Sequence, residues 1–306
     1  MKKELKKTLS KVGEFGLIEL LSHFQFKTKG LIHGIGDDAA VVETSREGVL
    51  VLTTDMLIER IHFTKQMGAF AIGRKALACS LSDIAAMGTR PRWVLVSLGL
   101  PKNLSVDFVR KIYQGMNYWA KKFSASIIGG DIVENDKIII NVVCLGQAKK
   151  QEVVLRSGAQ KGDQIFVTGP LGNSLKSGKH LWFNPRLEES QYLVKNFKPS
   201  AMIDISDGLA QDLSHILKES RVGAILGKEM ILLNARSSIQ QALYDGEDFE
   251  LIFTLSPQKA KKLMASKNKR FKFYLIGEIT GRAGQLILRR KDGQEKQISA
   301  KGFTHF

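Results

Sequence analysis

Cysteine is nearly missing from this chain: 306 residues carry two, Cys79 and Cys144, in apolar or small-residue surroundings and without a CxxC spacing. Neither a disulfide framework nor a zinc site is expected from them, and two buried, reduced thiols are. No apolar run is long enough to cross a bilayer. The opening MKKELKKTLSK is basic but lacks the apolar segment of a secretion signal, so the expected compartment is the cytoplasm, with no membrane partner. GxGxxG is absent and so is GxxxxGK[ST], which argues against a dinucleotide fold and a Walker-type ATPase. Acidic residues are the minority charge, 30 against 46 Lys+Arg, for a formal net charge of +16. The excess is spread out, 20 against 14 in residues 1–147 and 26 against 16 in 148–306. Its densest run, KAKKLMASKNKRFK at 259–272, reads as a helix with lysines facing solvent and Leu263 and Met264 on its apolar side. No zinc-finger or RNP-type motif accompanies it, so no nucleic-acid partner is expected.

What remains is the composition of an ordinary globular protein, 43% hydrophobic and 25% charged, at a length that favours two domains. The most informative stretch is LIHGIGDDAAVV at 31–42. Gly34 and Gly36 permit a tight bend and close approach of a ligand. Asp37 and Asp38 place two carboxylates at that bend, where they repel unless a cation or a proton compensates. A plain turn accounts for glycine and aspartate almost as well. Similar acidic bends recur along the chain. GVLVLTTD at 48–55 is a strand ending in Thr53, Thr54 and Asp55, oxygen donors that suit a hard cation, although a turn with local hydrogen bonds explains them too. In the alanine-rich helix predicted over 69–87, Asp83 buries poorly unless paired or metal-bound. AMIDISDGLAQDL at 201–213 runs a short strand into Asp204, Ser206 and Asp207 ahead of a helix starting at Gly208. Asp207 suits a helix N-cap, whereas Asp204 alternates with Ile203 and Ile205 and has no such explanation. Asp245, Glu247, Asp248 and Glu250 crowd the approach to a further strand, and in a basic protein they require cations nearby.

The remaining pattern predicts a helix over 13–26, a strand over 93–100, a helix over 106–123, a strand over 126–128 turning at Gly129–Asp131, and a strand over 137–145. GQAKKQE at 146–152 marks a boundary, giving domains 1–147 and 148–306. The turn at 169–174 reads as strand-to-helix, and 175–200 as a helix with a connecting loop. FYLIGEI and LILRR read as strands. The fold class is α/β (α+β). His62, alone beside an apolar pair, has little claim to a ligand role on its own.

Taken in order, GIGDDAAVV, TTDMLIERIHF, LSDIAAMGTRP, IIGGD, RSGAQKGDQIFVTGPLG, MIDISDGLAQDL, GEDFELIFT and GFTHF resemble the thiamine-monophosphate kinase family. That family lies in the superfamily of ATP-binding enzymes that includes aminoimidazole ribonucleotide synthetase. The resemblance runs from Gly13 to Phe306. It implies a two-domain aminoimidazole ribonucleotide synthetase-like fold, with an N-terminal sheet domain that pairs two copies into a homodimer and a C-terminal α/β domain that completes the site. The implied reaction, the last step of thiamine diphosphate biosynthesis, moves the ATP γ-phosphoryl group directly to thiamine monophosphate with several Mg2+ ions. Carried over residue by residue, Asp38, Thr53, Thr54, Asp55, Asp83, Asp131, Asp204 and Asp207 fall at magnesium positions. Gly130, Asp131, Arg156 and Ser206 fall at nucleotide positions, and His62, Glu247 and Phe303 where the family holds thiamine. Asp37 falls beside the matched aspartate in a supporting place.

The implied chemistry asks for no covalent or general-base residue. The acceptor is a phosphate whose second pKa near ~6 leaves it largely dianionic at neutral pH. The obstacle is repulsion between two polyanions, so positioning and charge neutralisation dominate. Arg156 would pair with phosphate oxygens, Phe303 would pack on the thiamine ring, and Glu247 would either accept a hydrogen bond from the aminopyrimidine or balance its positive charge. The chain departs from the family pattern at Arg60, Ser80, Ile132, Val133 and the SLKSGKH segment. Within the superfamily, selenophosphate synthetase would show a reactive Cys or selenocysteine near the start, and the hydrogenase-maturation relative a terminal cysteine. Aminoimidazole ribonucleotide synthetase is the alternative enzyme, and GEDFEL and GFTHF favour the kinase over it.

Overall fold

Residues 8–26, 28–268 and 270–304 are described by the structure, a computed structural model. Residues 1–7 of the basic opening, and His305 and Phe306 of GFTHF, lie outside them. Alternation of inward and outward side chains is clearest in the strand that carries the Thr-Thr-Asp motif. Val49, Val51, Thr53, Asp55 and Leu57 face inward there, while Thr54 and Met56 face out. This strand, β3 (Gly48–Ile58), belongs to a sheet with β1 (Leu31–His33), β2 (Ala40–Glu43), β4 (Arg90–Leu100), β5 (Ser126–Glu134) and β6 (Ile139–Lys149), ordered β1-β2-β3-β6-β4-β5. All neighbours run antiparallel except the β4–β5 pair. The turn expected at Gly129–Asp131 is not one: β5 continues through it, pairing Gly129 with Leu95, Gly130 with Val96 and Asp131 with Ser97. The glycines serve close approach between strands, since a Cβ on Gly130 would stand 1.8 Å from the Val96 carbonyl oxygen.

Two helices, Ala69–Ala86 and Val106–Lys122, cover the inner face of this sheet. Their backbones touch. A Cβ on Gly73 would lie 1.9 Å from Ile112 O, and one on Gly115 2.0 Å from Phe70 O. Ser105 caps the second helix by accepting the Phe108 N–H at 3.2 Å. The first helix is buried almost all round because its far side packs against Leu187–Asn196 and against the edge of a second sheet.

That second sheet holds β7 (Gln164–Val167), β8 (Ala201–Asp204), β9 (Gly223–Gly227), β10 (Leu251–Leu255), β11 (Tyr274–Thr280), β12 (Leu286–Arg289) and β13 (Glu295–Gln297). Its order is β13-β12-β9-β11-β7-β10-β8, mixed through the parallel β12–β9 pair. The helix Leu209–Ser220 follows β8. One apolar core runs from the first sheet across the central helix to Phe183, Met202, Phe249 and Phe253, and a second fills the space around Leu209, Leu213, Ile216 and Leu226. Residues 175–200 hold three short helices, Ser174–Ser177, Lys179–Trp182 and Leu187–Asn196. The lysine-rich run is helical only as far as Met264, in Pro257–Met264, with Leu263 buried and Met264 exposed instead of sharing its apolar side. Among the described residues no helix is long and apolar enough to cross a membrane.

Candidate active site

Three aspartates from three separate elements converge where the sheets meet. Gly36, at φ +129°, turns the chain into Asp38 just before β2. Asp83 stands on the central helix and Asp204 ends β8. One carboxylate oxygen from each lies within 4.8 Å of the others. Neighbouring hydroxyls aim them: Ser82 Oγ donates to Asp204 Oδ2 at 2.6 Å, and Thr53 Oγ1 donates to Asp83 Oδ2. Burial shifts all three upward, and repulsion from neighbouring carboxylates adds to it at Asp83 and Asp204. Asp204 rises to about 8, from burial first and the charge of Asp38 second. Asp83 is pushed well above the usual range by burial, then Asp55, Asp204 and Asp38. Asp38 is raised by burial against the opposing pull of Arg156. Asp38 Oδ2 is buried and, among the described residues, accepts no hydrogen bond. A converging, all-oxygen donor set with an unsatisfied carboxylate oxygen fits a hard divalent cation such as Mg2+.

The Asp37–Asp38 bend is compensated by Arg156. Its Nη2 donates to Asp38 Oδ1 at 2.7 Å and its backbone N–H to Asp37 Oδ2 at 3.1 Å. Asp37 also accepts the Asp38 N–H at 2.9 Å, so it shapes the bend while Asp38 faces the cluster. Burial, then Asp38, raises Asp37 to about 7. The Arg156 guanidinium therefore serves these aspartates, and its buried Nε has no hydrogen-bond partner among the described residues.

The other expected magnesium residues divide by sheet face. Asp55 faces inward with Thr53, accepts a 2.6 Å hydrogen bond from Ser80 Oγ, and is raised by burial to about 6. The serine that departs from the family pattern thus touches a carboxylate of the site. Thr54 turns to the opposite face, where its hydroxyl donates to Asn141 Oδ1 at 3.2 Å. Asp131 is exposed on that same outer face, in a cross-strand row with Ser97, Asn141 and Met56. Three strand spacings separate β5 from β3, so Asp131 and Asp55 of one chain stand roughly 14 Å apart. Gly130 falls in the inward row with Val96, Val142 and Asp55.

At the start of Leu209–Ser220 the N-cap is Gly208, at φ +120°, and not Asp207. Asp212 does the capping from within the helix, accepting the N–H groups of Asp207 and Gly208, each at 3.0 Å. This leaves the Asp207 carboxylate out of the cap, raised to about 6 by burial and then Glu14. Ser206 O accepts the Glu247 N–H at 2.7 Å, and Asp207 O accepts the Phe303 N–H at 3.0 Å. The Glu247 loop and the C-terminal segment are thereby tied to the end of β8.

The cations required by the acidic run at 245–250 are present. Arg186 grips Glu250 through Nε and Nη2, both at 2.7 Å, and Lys179 lies 3.0 Å from Glu250 and 3.4 Å from Asp248. Burial works to raise Glu250, but Arg186 and Lys179 outweigh it and hold the carboxyl below its ordinary value. Glu247 pairs instead with Lys75 of the central helix at 2.5 Å, and the same ammonium donates to His62 O at 3.0 Å. His62 Nδ1 lies 3.0 Å from the Ile58 N–H and accepts from it. His62 and Glu247 are thus neighbours although 185 positions apart.

The family model "AIR synthase related protein, N-terminal domain" matches residues 36–148, and its C-terminal counterpart matches 159–289. The thiamine-monophosphate kinase of Buchnera aphidicola subsp. Schizaphis graminum is 35% identical over 96% of this chain and 99% of its own length. That of Rhodopirellula baltica is 36% identical over 89% and 90%. The chain belongs to the thiamine-monophosphate kinase family. The solved structure "AaThiL complexed with AMPPCP and TMP" superposes with a TM-score of 0.86 at 31% identity, covering 98% of this chain and 99% of that one. A thiamine monophosphate kinase from Aquifex aeolicus gives a TM-score of 0.77 at 28% identity, covering 95% of this chain and 99% of that one. The hydrogenase maturation protein HypE in complex with ATP shares the fold alone, with a TM-score of 0.69 at 21% identity, covering 91% of each chain.

Three residues of this family member escaped the sequence reading: Lys75, Ser82 and Asp212. Lys75 and Asp83 lie two helical turns apart on one side of Ala69–Ala86, and that spacing was the available signal for Lys75. Nothing in the sequence marks Ser82 as the donor to an aspartate 122 positions away.

Proposed function

We propose that this chain transfers the γ-phosphoryl group of ATP to thiamine monophosphate, giving thiamine diphosphate and ADP. The observation that carries this reading is the convergence of Asp38, Asp83 and Asp204 with a buried Asp38 oxygen left without a donor, in a family whose solved relative is described with AMPPCP and TMP. Mg2+, when held there, would neutralise the charge of two polyanionic substrates and of the transferring group. The chain's own task is preorganisation. Arg156, Ser82, Thr53 and Ser80 hold Asp38, Asp204, Asp83 and Asp55 in place by hydrogen bonds already made. Gly130, Arg156 and Ser206 take the nucleotide side, Asp207 adds a carboxylate to the metal set, and His62, Glu247 and Phe303 take the thiamine side. Residues 1–147 form the first domain and 148–306 the second, with the site at their junction.

A homodimer belongs to this reading. On the outer face of the first sheet Met56, Trp93, Leu95, Ile128 and Val133 are exposed, and Thr54 and Asp131 share that face. A second copy packed there would cover the apolar side chains and put its Asp131 beside the first. The reaction is tested with purified protein, ATP, Mg2+ and thiamine monophosphate, separating products by chromatography. Equimolar thiamine diphosphate and ADP are expected, with no product from free thiamine. ADP release without thiamine diphosphate, or comparable turnover of free thiamine, would overturn the assignment.

A further inference from the structure

Lys75 carries a charge at a fully buried position in an alanine-rich helix, where an unpaired ammonium would be very costly. It is not unpaired. It grips Glu247 Oε1 at 2.5 Å and His62 O at 3.0 Å, so one cation from the first domain fixes a turn of that domain and a loop of the second. Glu247 is held at φ +64°, with its N–H on Ser206 O at 2.7 Å. Its second oxygen, Oε2, is buried and accepts no hydrogen bond among the described residues. Taken together the Lys75–Glu247 pair is neutral. Such a pair has little net charge to offer a cationic ring, but it presents one fixed acceptor oxygen. His180, in the SLKSGKH segment, holds a further unused acceptor, a nitrogen: its Nδ1 lies 3.1 Å from Ser174 O, and its buried Nε2 has no partner among the described residues. Burial, with Lys75 nearby, holds this imidazole below its ordinary pKa, which keeps Nε2 an acceptor.

Resting on the function proposed above, we infer that Lys75 is a positioning residue that sets substrate specificity: it orients Glu247 so that Oε2 accepts an N–H of the acceptor's exocyclic ring amine. Glu247 then recognises a hydrogen-bond donor and is not a counter-ion. A site with a buried acceptor rejects a ligand that places an oxygen there, because two lone pairs meet and neither finds a donor.

The test compares thiamine monophosphate with oxythiamine monophosphate, in which an oxygen replaces the exocyclic amine and the thiazolium charge is kept. Calorimetric binding is measured with Mg2+ and a non-hydrolysable ATP analogue, so it does not depend on turnover. Wild type should prefer the amine by on the order of 100-fold. Glu247→Gln should move that ratio at least about 10-fold toward the oxo compound, since a carboxamide N–H can donate to it. Lys75→Met should bring the ratio to within a few-fold, raising KM for thiamine monophosphate with KM for ATP unchanged. Where Lys75→Met does not fold, Lys75→Met/Glu247→Gln removes both charges of the pair and takes its place. Equal wild-type affinity for the two compounds, or equal weakening of both by Glu247→Gln, would overturn the inference in favour of a counter-ion. Failure of the proposed reaction itself would show separately, as absence of thiamine diphosphate in the turnover assay.

Discussion

Asp55, expected at a strand end, lies inside β3, which runs on to Ile58, and it separates two roles that a carboxylate there can have. One that only pairs locally stabilises the fold, whereas one gathered with Asp83, Asp204 and Asp38 is held there against repulsion. The upward shifts fix the sign. Asp55 at about 6, Asp37 at about 7 and Asp204 at about 8 keep protons in the folded state that an unfolded chain has released above ~4. Their contribution to stability therefore falls as pH rises from about 4 to about 8. His215 runs the other way. Burial, then Arg156, lowers it to about 4, so its contribution is lost as pH falls from 6.5 toward 4. Mg2+ competes with the carboxylate protons and does not involve that histidine. The rise in melting temperature on adding Mg2+ should thus be small at pH 5 and grow toward pH 8.5. Asp55→Asn should hold or raise the metal-free melting temperature at pH 8 and cut turnover by about 100- to 1,000-fold, the range for a lost transition-state charge contact. Scanning calorimetry at both pH values and a turnover assay check this. A destabilised Asp55→Asn with near-normal turnover would make Asp55 a purely structural residue of β3. The aspartates were legible because carboxylates in apolar or alanine-rich segments demand a reason. Asp207 was legible as an acid but not in its role, since the capping is done by Asp212 one turn further on.

At the scale of elements, the helix Ala69–Ala86 organises the site. It carries Lys75, Ser80, Ser82 and Asp83, and it separates the two sheets. Its existence and length were readable from composition, as was the existence of β3, β4, β6 and the helix Val106–Lys122. But β3 runs past Asp55 to Ile58, and β6 past Leu145 to Lys149, through the polar stretch read as a boundary. Less readable were β9, short and bounded by glycines, and β13, a polar edge strand, because neither has a hydrophobic period. β5 was cut short since Gly129-Gly130 looks like a turn when its partner strand is unknown. The same reasoning gives Gly115 its meaning. A methyl group there would stand 2.0 Å from Phe70 O, backbone that cannot yield without moving the central helix. Gly115→Ala should cost about 1–3 kcal/mol, lowering the melting temperature by several degrees. Activity per folded molecule should fall as well, because the displaced helix carries Lys75 and Asp83. An unchanged melt and turnover would mean that the helix pair has slack the geometry does not show.

For the whole molecule, the apolar core passes without a break through the junction of the sheets, which holds the aspartates from both domains in one place. Among the described residues, the outer face of the first sheet has no such cover. Trp93 and Leu95 on β4, Met56 on β3 and Val133 on β5 lie on it at intervals set by the ladder, with Thr54 and Asp131 among them. Strand alternation was visible in the sequence, but which face meets helices and which is left bare depends on where the chain returns, and only the fold gives that. A chain with net charge +16 repels its copies at long range, so self-association there must come from short-range apolar burial and should survive, or strengthen, as salt screens the repulsion. Light scattering at micromolar concentration should give a dimer mass in low and high salt. Leu95→Lys should give a monomer that still melts cooperatively, since its side chain reaches no core. If Asp131 works beside its twin, that monomer should also lose turnover, and the loss should track the monomer fraction as protein concentration falls. A wild-type monomer with full activity would place Asp131 outside the reaction and leave the inner aspartates to carry it alone.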